Sequence, residues 1–145
     1  MRRSTLSVLV ALLVTFTVAT ASAKDSVWSA LVMANNRPEP TPIPAELNKL
    51  ESTLKQLFGY NQYQVIGQSR HTMNGEQDWS TSSKYFSLHV DSKSATKSAY
   101  QLNLQLLQEQ KVLLETEAKL SKPRPLVIRG PQVGDGQLVL LLVLE

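Results

Sequence analysis

The sequence predicts an α+β fold, one amphipathic helix packed on an antiparallel sheet of about six strands. Three observations lead there. Leu47, Leu50, Leu54, Leu57 and Phe58 recur at intervals of three and four, the period of a helix with one apolar stripe. Residues 100–120 alternate apolar and polar side chains, as strands with one wet face do. Asn74-Gly75 sits between two extended stretches and is a strong hairpin signal.

The first residues read as an export signal. Met1-Arg2-Arg3-Ser4-Thr5 is a short positive start, residues 6–20 are apolar apart from Ser and Thr, and Ala21 and Ala23 occupy the two positions a signal peptidase reads. Cleavage after Ala23 is expected, with the periplasm or the extracellular space as destination. The competing reading is an uncleaved anchor. Because the apolar run falls short of the ~20 residues a spanning helix needs, no stable membrane span is expected after cleavage. No cysteine follows the run, so a bacterial lipid anchor is excluded.

The leader also carries much of the basicity. The 145 residues hold 15 Lys and Arg against 12 Asp and Glu, but removing Arg2 and Arg3 leaves 13 basic side chains and a net charge of +1. The tightest remaining group is Lys119, Lys122, Arg124 and Arg129, around Pro123 and Pro125. A polyanion needs denser clustering than that, so no nucleic acid is expected as partner. Absence of cysteine removes thiol nucleophiles and thiolate metal sites, and leaves burial as the source of stability.

The expected organisation is residues 1–23 as signal peptide, 24–44 as a short strand and proline-rich spacer, and 45–145 as helix plus antiparallel β domain. Residues 27–34 (VWSALVMA) suit a strand buried on both faces, and 35–44 (NNRPEPTPIP) an extended spacer. The helix spans 44–58, with Pro44 in the first turn, Glu51 and Lys55 as an i,i+4 pair, and Gly59 as the left-handed stop. After Gly59 the period falls to two. Tyr63, Val65 and Gly67 face one way, residues 77–81 return from the Asn74-Gly75 turn, and Phe86, Leu88 and Val90 mark a further strand. Residues 91–98 read as a loop. Tyr100, Leu102, Leu104 and Leu106 share one strand face, and Val112, Leu114, Thr116, Ala118 and Leu120 share the next, joined by a tight hairpin at 108–110. A short strand at 126–129 leads into a turn-rich connection at 130–136, and residues 138–144 (LVLLLVL) read as a doubly buried strand, or one that a partner completes by strand addition.

Reactive chemistry is sparse. His71 and His89 lie near Asp78 and Asp91 in sequence, and Ser69, Ser80 or Ser87 could join them, but no strained turn presents a serine as nucleophile. Glu115 and Glu117 share a strand face as a possible carboxylate pair. No third ligand at metal spacing accompanies the histidines, so no catalytic residue, metal or cofactor is assigned. Tyr60, Tyr63, Trp79 and Tyr85 are the candidate binding residues, of types enriched at interfaces.

Two resemblances bear on function. A helix followed by Tyr63-Gln64-Val65-Ile66-Gly67 looks like a cystatin-type protease inhibitor, whose first hairpin reads Gln-x-Val-x-Gly; here the leading Gln is missing, and Asp78-Trp79 stands where that family has Pro-Trp. VWSALVMA, the proline spacer, LFGYNQY and the closing GQLVLLLVL together resemble small exported bacterial proteins of unassigned activity. That resemblance implies location and supplies no functional residue. The expected function is thus a non-catalytic cell-envelope protein that binds an envelope protein or surface component. The alternatives are a small exported hydrolase using His or carboxylate chemistry, and a cystatin-like inhibitor.

Overall fold

Two apolar runs organise the molecule, because strands apolar on both faces need cover on both. The computed structural model describes residues 25–73, 77–95 and 99–145, without the side chains of 94 and 95. The expected leader with Ala21 and Ala23, and the Asn74-Gly75 tip, lie outside those residues. The two runs become β1 (Ser26–Asn35) and β8 (Gly136–Leu144), paired antiparallel with Leu31 opposite Leu140. On their outer sides lie β2 (Gln62–Thr72) and β7 (Leu126–Val133), giving one sheet in the order β2-β1-β8-β7. Both edges of β8 are therefore filled within the chain, which excludes strand addition there.

The second sheet is β3 (Gln77–Ser82), β4 (Phe86–Ala95), β5 (Ala99–Gln108) and β6 (Lys111–Ser121), in chain order. The fold is α+β, but the single sheet of about six strands is corrected to two sheets of four. The reason is burial. Leu88, Val90, Leu102, Leu104 and Leu106 need a cover for their common face, and they find it in Leu138, Leu140 and Leu142 of the first sheet. Consecutive strands within a sheet are neighbours, β1 and β8 pair across the chain's ends, and the chain changes sheet after β2 and again after β6. The Asn74-Gly75 hairpin is thus also corrected, since the strands flanking it pair in different sheets.

The other face of β1 and β8 is covered by helix. Trp28, Ala30, Val32, Val139 and Leu141 pack under Leu47, Leu50 and Leu54. The helix at 44–58 is in fact a 3₁₀ helix, Ala45–Leu50, continued by α1 (Glu51–Phe58). The change of pitch matches the spacing: three residues separate Leu47 from Leu50, four separate Leu50 from Leu54, and all three are buried. Leu57 falls off the stripe and is 53% exposed. Gly59 ends α1 with φ 72° and donates its N–H to the Lys55 carbonyl. The spacer at 35–44 is clamped to the start of β2: the Asn61 side chain bonds both backbone groups of Arg37, and the Gln62 side chain bonds Thr41 twice. β1 is thus central to the first sheet, between β2 and β8.

Bulges shift several faces. Leu31 pairs with Gly67 and Val32 with Val65, so Ile66 is inserted; Tyr63 and Val65 face the helix while Gly67 turns to the inter-sheet side. There it passes so close to the Ser82 carbonyl that a Cβ would collide with it. Leu106 pairs with Leu114 and Leu107 with Val112, so Leu113 is inserted and Val112 is turned outward, 46% exposed. Of the loop expected at 91–98, residues 91–95 are strand, because β4 runs to Ala95 across a bulge at Lys93, and 96–98 lie outside the described residues. The connection at 130–136 is largely strand: β7 reaches Val133 through a bulge at Gly130-Pro131, and only Gly134-Asp135 turns.

Candidate binding groove

Beside the 3₁₀ helix, at one end of the first sheet, lies a hollow whose floor includes Trp28, itself 7% exposed. Pairing places Arg70, Trp28 and Val143 side by side on β2, β1 and β8. The 3₁₀ helix forms the wall above them through Ala45, Asn48 and Leu50, and the half-open hollow between measures about 1120 Å³. The next hollow described holds about 350 Å³. Apolar side chains supply the floor, and four charged ones stand on the rim: Glu46, Lys49, Arg70 and Glu145.

Two of those are already matched. Arg70 grips the Glu145 carboxylate with Nε at 3.0 Å and Nη2 at 3.2 Å. Glu46 and Lys49 have no ion-pair partner among the described residues. The Trp28 indole donates to Gln68 Oε1 at 3.0 Å, which fixes the ring in the floor. A concave, mostly apolar surface with a few placed polar groups is the usual form of a binding site.

The four aromatic residues singled out in the sequence do not converge. Tyr63 is 2% exposed under the helix, where burial pushes its phenol above the ordinary value and its hydroxyl donates to the Leu54 carbonyl at 3.0 Å. Trp79 is 8% exposed between the sheets and donates to Ser29 Oγ at 3.1 Å. Both belong to the core. Tyr60 is half-buried beside Tyr63's cluster, and Tyr85 is exposed at the β3–β4 turn under Lys84.

His71 stacks on Trp79 with ring centroids 4.9 Å apart and bonds Gln77. His89 lies on the outer face of the second sheet, with Nδ1 3.1 Å from Ser80 Oγ and Nε2 3.7 Å from Asp78 Oδ2. Serine, histidine and aspartate therefore line up, but on an open strand face, where the Asp78 side chain is 69% exposed. Asp91 is the cross-strand neighbour of Asp78, and Glu115 and Glu117 extend the same polar surface on β6. Ser69 bonds Thr81 between the sheets, and Ser87 bonds Ser82. Among the described residues no group of three or more His, Asp or Glu is arranged to hold a metal. The basic group at 119–129 is dispersed: Lys122 pairs with Asp25, and Arg129 covers the Phe58 ring. The 63–67 segment that resembles the cystatin hairpin lies inside the β1–β2 ladder rather than at a tip.

The fold and hollow define an antiparallel sandwich of two four-stranded sheets with a helix-walled groove on the outer face of the first. No family model matches the chain, and neither a curated protein nor a solved structure matches it. Among the described residues no helix is long and apolar enough to cross a membrane. Sequence reading missed Trp28, Glu46, Lys49 and Arg70 because the groove is assembled from segments far apart in the chain, around residues 28, 45–50, 68–70 and 143–145. The one signal available was Trp28 itself, the bulkiest residue in a run otherwise of aliphatic and small side chains.

Proposed function

We propose that this protein is an exported, non-catalytic component of the cell envelope that binds another macromolecule through the groove beside Trp28. The occupant is an extended segment of an envelope protein, with an apolar side chain over Trp28 and Val143 and polar groups against Glu46 and Lys49. The observation carrying this reading is the hollow between the 3₁₀ helix and the end of the first sheet, a mostly apolar floor with two unmatched charges of opposite sign, Glu46 and Lys49, on its rim. Opposite charges at fixed positions give a peptide its register and direction.

Residues 24–145, immobilised as bait against an envelope extract, test it. A single protein retained by the wild type and by Ser80→Ala, and lost with Glu46→Trp, which fills the groove from its exposed wall, is the expected result. Equal retention by all three refutes it. The alignment of Ser80, His89 and Asp78 favours one second reading, a small hydrolase. Turnover of an ester substrate that Ser80→Ala and His89→Ala both abolish would establish that reading instead.

A further inference from the structure

The fold closes on the chain immediately after the expected cleavage position. Asp25, two residues beyond Ala23, is held on both sides of its peptide. Its carbonyl accepts from the Met73 N–H at 2.8 Å, and its carboxylate accepts from the Tyr100 hydroxyl at 2.9 Å on one oxygen and meets Lys122 Nζ at 3.0 Å on the other. Ser26 then exchanges two backbone hydrogen bonds with Glu145, at 3.2 and 2.7 Å. Strands β2, β5, β6 and β8, or the segments that follow them, are thus tied to these two residues. Only Lys24 separates Asp25 from the bond to be cut, a span of about 3.8 Å between neighbouring Cα atoms.

A protease binds its substrate as an extended strand over several residues on both sides of the scissile bond, using the backbone groups that β pairing uses. Asp25 and Ser26 cannot serve the peptidase and the sandwich at once. Building on the leader reading above, we infer that removal of residues 1–23 and closure of the sandwich compete for Asp25 and Ser26, so that cleavage has to precede folding. A chain that closes first keeps its leader and stays at the membrane; a chain cut first is released. The rate of folding then sets how the protein is divided between tethered and free forms.

The full 145-residue chain in detergent micelles with purified signal peptidase tests this, alongside two variants. Leu140→Asp puts a carboxylate in the centre of the core and leaves the chain unfolded in the same buffer, as circular dichroism checks. Tyr100→Phe with Lys122→Ala loosens only the latch. The expected result is cleavage between Ala23 and Lys24 in the Leu140→Asp chain, at least tenfold slower cleavage of the folded wild type, and an intermediate rate for the latch variant. Equal rates for folded and unfolded chains overturn the inference. An unfolded chain left uncut overturns the leader reading, and the inference with it.

Discussion

Leu54 and Leu57 carry the same side chain on the same short helix, yet one is 0% exposed and the other 53%. Replacing each by alanine separates packing against the first sheet from helix propensity, which the two substitutions change equally. Leu54 sits over the β1–β8 centre, and its carbonyl holds the Tyr63 hydroxyl. Truncating a fully buried leucine costs about 3 kcal/mol, from lost transfer energy and the cavity left behind. Truncating an exposed one costs less than about 0.5 kcal/mol. A domain near 120 residues has roughly 6–18 kcal/mol of stability, so both variants fold. Urea unfolding of residues 24–145, followed by tryptophan fluorescence, reads the difference. With a slope of about 1.5 kcal/mol/M, Leu54→Ala lowers the midpoint by about 2 M and Leu57→Ala by about 0.3 M or less. Equal shifts would mean that the helix does not lie on this sheet through Leu54, and the groove wall would lose its basis.

The same unfolding assay checks three other expectations. Glu109 and Gln110 both have positive φ, 50° and 73°, in the β5–β6 turn, so Gln110→Gly raises stability by about 1 kcal/mol. Gly67→Ala drives a Cβ into the Ser82 backbone and lowers stability by about 1–3 kcal/mol, with more strain than Gly59→Ala, where the space is open and only the left-handed backbone opposes the change. Lys122 and Tyr100 hold the Asp25 carboxyl below its ordinary 3.8, so the latch contributes fully above that pH and is lost as pH falls through the folded value. Midpoints measured from pH 6 down to pH 2.5 should fall more steeply for the wild type than for Asp25→Asn, and parallel curves would contradict the latch.

What the sequence made legible follows from how each element is buried. Residues 27–34 and 138–144 read correctly as doubly covered strands because cover on two faces leaves an uninterrupted apolar run. The strand from Phe86 to Val90 and that from Leu102 to Leu106 read correctly because one face is wet. The bulges at Ile66 and Leu113 did not, since one inserted residue changes the phase of an alternation without changing its period. The switch of sheets after β2 was hidden by a turn signal that speaks only of local geometry. The groove was hidden more deeply. Its floor depends on how far the helix reaches along the sheet, which no local pattern encodes, whereas Tyr63 and Trp79 advertised themselves as interface residues and were taken up by the core.

Site-specific photo-cross-linking in living cells asks whether the groove beside Trp28 is the surface that meets the partner. A photoreactive residue in place of Asn48, on the groove wall, should give one dominant adduct that Glu46→Trp abolishes, while the same residue in place of Ser80, on the outer face of the second sheet, should give none. An adduct from position 80 together with none from position 48 would contradict the account and move the binding surface to the opposite side of the molecule.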